Sequence, residues 1–113
     1  MVKFKGDFCQ PSFSTKLVDR RIKDGEKLSL SLSLRGEPEP KVEWFKDGRR
    51  LVSSDVVDLK YRNRTATLTI EEAFPEDEGS YECVAINSEG RSSTKCFITI
   101  IRKLSFSVFL TKS

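Results

Sequence analysis

Between Leu28 and Leu34 the chain reads Leu-Ser-Leu-Ser-Leu-Ser-Leu. Strict alternation of apolar and hydroxyl side chains fits an extended strand, because successive side chains of a strand leave on opposite faces. A helix would scatter the same four leucines around its circumference. Leu28, Leu30, Leu32 and Leu34 are assigned to a buried face, and Ser29, Ser31 and Ser33 to an exposed one. The pattern recurs at Thr65–Ile70, where Ala66, Leu68 and Ile70 face one way and Thr67 and Thr69 the other. Tyr81, Cys83 and Ala85 form a third such set, Cys96, Ile98 and Ile100 a fourth, and Val42 with Trp44 a short fifth.

Turn signals separate these runs at the spacing of a sandwich or barrel. Lys23-Asp24-Gly25-Glu26 precedes the Leu/Ser run and Gly36-Glu37-Pro38-Glu39-Pro40 follows it. Asp47-Gly48 favours a tight turn with positive φ. Pro75–Gly79 makes an acidic corner, and Asn87-Ser88-Glu89-Gly90 a hairpin turn between the last two strands. No stretch of ten or more residues carries a 3.6-residue period. The expected fold is all-β, two packed antiparallel sheets. At 113 residues the chain holds one domain with one modest core.

Composition narrows the function. The chain has no His, which excludes imidazole acid–base chemistry and His-based triads, and the serines have no base to activate them. The net charge of +3 is spread among interspersed charges, unlike the concentrated basic face of a nucleic-acid binder. No run reaches the roughly 20 apolar residues of a membrane-spanning helix. The opening Met-Val-Lys-Phe-Lys-Gly-Asp has no apolar run of the length a secretory signal uses. Three cysteines, Cys9, Cys83 and Cys96, form no Cys-x-x-Cys pair, and an odd count reads as three reduced thiols in a cytosolic protein. A hairpin centred on Ser88-Glu89 puts Cys83 opposite Thr94 and Cys96 opposite Tyr81. The two thiols are then diagonal neighbours about 7–8 Å apart, beyond comfortable disulfide reach.

Trp44 follows the Gly-x-Pro-x-Pro turn, and Asp77-x-Gly79-x-Tyr81-x-Cys83 comes about forty residues later, with the tyrosine two residues before the cysteine as in a tyrosine corner. On these residues the chain resembles immunoglobulin domains of the intermediate (I) set, from roughly Pro11 to Ile101. It is most similar to the intracellular ones of titin, obscurin, the twitchin–projectin group, myosin light chain kinases and the palladin–myotilin family. The segments that carry this are Gly36–Gly48, Ala66–Glu72 and Phe74–Asn87. The resemblance implies a Greek-key sandwich. Its core would be built on Leu32, Trp44, Leu68, Tyr81 and Cys83, and its corner and turns on Asp77, Gly79 and Gly48.

The resemblance also shows a departure. Leu32 stands where such domains often carry the first cysteine of an inter-sheet disulfide, and Cys83 keeps the second position. Closing a loop of about 50 residues is worth roughly 4 kcal/mol in the chain-entropy model. Burying a leucine side chain returns about 1.5–3 kcal/mol. No disulfide is expected, and Leu32 against Cys83 and Trp44 is read as an apolar core pin suited to a reducing compartment. In the family the position of Asp77 commonly pairs with a basic residue near the preceding strand, and Arg62 or Arg64 is expected to serve. Asn63-Arg64-Thr65 fits a glycosylation acceptor, but reads here as a polar turn into the next strand.

The expected organisation is an N-terminal leader over residues 1–8, one domain over 9–101 and a C-terminal extension or linker over 102–113. The tail alternates Leu104, Phe106, Val108 and Leu110, and Arg102-Lys103-Leu104-Ser105 resembles a basophilic kinase site. The resemblance implies a non-catalytic structural and protein-interaction module of a large muscle or cytoskeletal protein, a force-bearing spacer and docking domain in a tandem array. No catalytic residue, cofactor or metal is expected. The implied partners are neighbouring immunoglobulin or fibronectin type III domains and sarcomeric or actin-associated proteins, with no nucleic acid and no membrane, in the cytoplasm. Two alternatives stay open: an extracellular adhesion or receptor domain, and a domain that accompanies a kinase. If Val18–Ile22 runs parallel to Lys95–Ile101, tension along the array would load their backbone bonds in shear.

Overall fold

The Leu/Ser alternation is strand β3 (Leu28–Glu37), buried at every even position and exposed at every odd one. Across it lies β7 (Thr65–Ile70), in a register that sets Leu28 against Ile70, Leu30 against Leu68 and Leu32 against Ala66. Opposed residues of an antiparallel pair share a face, so the two strands present one apolar surface inward and a ladder of Ser–Thr pairs outward. The computed structural model describes residues 8–102, and the apolar tail at Leu104–Leu110 lies outside the described residues.

Seven more strands complete two sheets: β1 (Cys9–Phe13), β2 (Arg20–Lys23), β4 (Lys41–Lys46), β5 (Arg49–Arg50), β6 (Asp58–Arg62), β8 (Gly79–Asn87) and β9 (Gly90–Ile101). One sheet has the order β1-β3-β7-β6 and the other β2-β9-β8-β4-β5. The sheets are antiparallel but for one pair: β2 runs parallel to β9, from Arg20 against Ile98 to Lys23 against Ile101. The chain therefore switches sheets between β1 and β2. Where β1 ends, the freed edge of β3 is closed by local groups. Ser14 N–H donates to Ser33 O at 2.8 Å, Ser33 N–H donates to Thr15 Oγ1 at 3.0 Å, and the Arg20 guanidinium donates to Ser29 O at 2.8 Å.

Turn chemistry sits where the residues call for it. Asp47 and Gly48 turn β4 into β5 with φ of 50° and 83°, and Asn63 and Arg64 turn β6 into β7 with φ of 51° and 60°. Short polar side chains tolerate the left-handed region, and Gly48 adopts it without a Cβ penalty. Hairpin β8–β9 pairs Asn87 with Gly90, Cys83 with Thr94 and Tyr81 with Cys96. A single cluster fills the space between the sheets, from Phe13 and Leu17 to Ile98 and Ile100, with Trp44 inside it.

Candidate functional site

Trp44 and Cys83 are direct cross-strand partners on β4 and β8, and both point inward. Leu32 and Leu68 enter the same buried cluster from the opposing sheet. Leu32, Leu68, Tyr81 and Cys83 are each no more than 1% exposed. All three cysteines are free thiols: Cys83 and Cys96 are buried, and Cys9 is exposed. Burial pushes the Cys83 thiol up to about 12, with the Glu82 carboxylate adding to it. The Cys96 thiol is raised as well, by burial first and by Asp19 second. Neither is a nucleophile at neutral pH, since the thiolate is the reactive form.

The corner is held by Tyr81. Its hydroxyl donates to Asp77 O at 2.5 Å across the 3₁₀ turn Pro75–Asp77. The expected pairing of Asp77 with Arg62 or Arg64 is corrected by the structure. The Asp77 carboxylate folds back on its own turn and accepts the Phe74 N–H at 2.8 Å. Arg64 turns the other way, donating to Gly36 O at 2.6 Å and to Glu37 Oε2 at 2.7 Å. Gly79 sits beside this corner at φ 158°, and a Cβ there would fall 2.7 Å from Asp47 Oδ2. The absent side chain leaves room for the Asp47 carboxylate to accept the Ser80 N–H at 2.9 Å. That bond first, and the Lys46 ammonium second, hold the Asp47 carboxyl below its ordinary 3.8.

Two features of the surface bear on binding. The outer edge of β6 is partly closed where Ser53 Oγ accepts the Leu59 N–H at 3.1 Å, and the turn before the strand is held by Ser54 N–H donating to Val57 O at 2.8 Å. Such cover discourages a second chain from adding a strand there. Beside it, a cleft of about 300 Å³ opens between the sheets, lined by Val42, Trp44, Leu51, Leu59 and Tyr61 with Arg50 and Lys60. The Tyr61 hydroxyl is buried without a hydrogen-bond partner, and burial, then the Glu39 carboxylate, raise its pKa. Among the described residues no three His, Cys, Asp or Glu gather as a metal-holding group, and no helix is long and apolar enough to cross a membrane.

Strand β2, the first of its sheet in chain order, and the last strand, β9, are the parallel pair. Around it lie three contacts that residue patterns do not announce. Thr94 Oγ1 accepts the Leu17 N–H at 3.0 Å, Asp19 Oδ1 accepts the Phe97 N–H at 2.8 Å, and Glu78 Oε1 accepts the Ile100 N–H at 2.9 Å. Asp24 N–H adds a bond to Ile101 O at 3.0 Å. Asp19 and Glu78 read in the sequence only as polar residues just outside a strand, and Thr94 only as the cross-strand neighbour of Cys83.

Comparison with known proteins agrees with this geometry. The Immunoglobulin I-set domain family model matches residues 11–100. Myosin light chain kinase, smooth muscle, from Gallus gallus is 36% identical over 90 residues, covering 80% of this chain and 5% of that protein. Muscle M-line assembly protein unc-89 from Caenorhabditis elegans is 34% identical over 97 residues, 84% of this chain and 1% of that protein. The chain thus spans only a small fraction of the length of these relatives. Among solved structures, one of a titin M10–obscurin-like 1 immunoglobulin complex superposes with a TM-score of 0.79 at 28% identity, covering 83% of this chain and 96% of the other.

Proposed function

The chain belongs to the immunoglobulin I-set family, and from that premise we propose that it is a force-bearing spacer and docking domain in a tandem array, a non-catalytic part of a larger muscle or cytoskeletal protein. The domain proper occupies residues 9–101, entered through 1–8 and left through 102–113. Its relatives are muscle proteins, and their immunoglobulin domains are small parts of long chains. A cytoplasmic, sarcomeric or cytoskeletal setting fits that company. It also fits a core that packs Leu32 near Cys83 and keeps its thiols free.

One observation carries the mechanical part. Strand β2, which follows β1 after the sheet switch, lies parallel to the exit strand β9 over four residue pairs, so load from the N-terminus reaches it once β1 has left β3. A pull on the N-terminal side of one and the C-terminal side of the other slides them lengthwise. All the bonds between them then resist together, whereas a hairpin pulled from its open end unzips bond by bond. The docking part rests on partner chemistry. A chain similar to this one is found in a complex of titin M10 with an obscurin-like 1 immunoglobulin domain, so the partners proposed are other protein modules: adjoining domains of the same chain and sarcomeric or actin-associated proteins. The test is single-molecule pulling of head-to-tail repeats of the chain. A force peak well above that of a helical domain supports the reading, and unfolding at negligible force refutes it.

A further inference from the structure

Resting on that mechanical reading, we propose that Asp19 and Thr94 are positioning residues that extend the shear contact between β2 and the exit strand β9 and set the force at which the module opens. The parallel ladder covers only Ile98 to Ile101 of β9. Below it, among the described residues, no strand is hydrogen-bonded to β9 on that flank, and backbone groups left there need other partners. Asp19 supplies one at Phe97, and Thr94 supplies one to Leu17, each at 3.0 Å or less. The Asp24–Ile101 bond closes the far end. With these side chains, residues 17–24 are fastened along β9 from Thr94 to Ile101, twice the span of the ladder alone.

The chemistry suits the task. A carboxylate accepting a backbone N–H is a charge-assisted bond, stronger than the neutral amide pairs beside it. Thr94 is buried, so water does not readily replace its bond with Leu17. Both bonds join the entry segment to the exit strand, and a pull along the chain stretches them with the ladder. Glu78 works on the opposite flank. Strand β8 begins at Gly79, opposite Ile98, and Glu78 takes the Ile100 N–H beyond that point. It keeps the end of β9 from peeling off β8 while the first pair carries load.

Repeats of the full chain at constant force test the proposal. Asp19→Ala and Thr94→Val should each open about tenfold faster than the wild type, the loss expected for one well-placed bond. Asp19→Asn and Thr94→Ser keep an acceptor in place and should stay within about threefold of the wild type. Ile70→Val, a core change on β7 away from the contact, serves as a reference for stability lost without the bonds. It should leave the opening rate under force nearer the wild type than Asp19→Ala does, at matched loss in urea. If the wild type resists force and the Asp19 and Thr94 variants open at its rate, this inference falls and the spacer reading stands. If the wild type itself opens at negligible force, the spacer reading falls first.

Discussion

Removing a single oxygen separates hydrogen bonding from packing at the corner. Tyr81 is 1% exposed, so Tyr81→Phe leaves the ring and its apolar burial in place. What disappears is the bond from the hydroxyl to Asp77 O at 2.5 Å. A neutral hydrogen bond contributes about 1 kcal/mol net, and a half-buried carbonyl left without its partner costs up to about 1 kcal/mol more. The expected loss is about 1–2 kcal/mol. With a urea slope of about 1 kcal/mol per molar for a domain this small, the midpoint falls by about 1–2 M at unchanged slope. The melting temperature falls by roughly 5–15 °C. Burial, and then the Asp77 carboxylate, push the Tyr81 hydroxyl far above its ordinary range, so the same difference should persist at mildly alkaline pH. Urea titration of both proteins at pH 7 and pH 9 measures it. A Phe variant within about 0.3 kcal/mol of the wild type would refute the argument that this bond holds the Pro75–Gly79 turn on the sandwich.

Two further outcomes follow from the charged and titrating groups. In native protein one thiol, Cys9, should react promptly with a colorimetric disulfide reagent, while Cys83 and Cys96 react only after unfolding, because both are buried and burial raises their pKa; a second prompt thiol would contradict the core described. Asp47 has a folded pKa below its ordinary 3.8, so the stability it adds is complete above about pH 4 and is lost as pH falls through the lower folded value. The urea midpoint should drop less between pH 6 and pH 2.5 in Asp47→Ala than in the wild type, and equal drops would show that the Ser80 bond adds nothing.

Much of the fold was legible because burial parity is written along one dimension. The Leu/Ser run needs no partner to declare its two faces, and β3 is buried at those leucines. Thr65–Ile70 declares its own in the same way, and the two strands meet apolar to apolar, Leu28 against Ile70, Leu30 against Leu68 and Leu32 against Ala66. The turn at Asn87–Gly90 then sets the β8–β9 register, so Cys83 opposite Thr94 could be counted from sequence. The parallel run, expected over Val18–Ile22 against Lys95–Ile101, is shorter and starts later, with Arg20–Lys23 against Ile98–Ile101. Arg64 was harder. Its guanidinium reaches Gly36 and Glu37 from a turn residue at φ 60°, a direction set by backbone geometry that residue types do not encode.

The contacts that escaped reading share a cause. Asp19, Glu78 and Ser53 appear in sequence only as polar residues outside the strands, and Asp77 as a corner residue expected to pair with an arginine. Their partners are backbone N–H groups: Phe97, Ile100, Leu59 and Phe74. A ladder satisfies such groups along its length, so the unpaired ones collect where a neighbouring strand starts late or stops early. Where that happens depends on the sheet switch between β1 and β2 and on β8 beginning at Gly79. Those are facts of three-dimensional order, and one alternating pattern read by itself does not contain them. The consequence reaches function. The apolar positions that make this chain an immunoglobulin sandwich serve the fold, whereas in the mechanical reading proposed above the polar side chains beside β9 decide how firmly the exit strand is held. Resistance to force in two such modules can differ widely while their cores stay alike, and Asp19 and Thr94 are where this chain would differ.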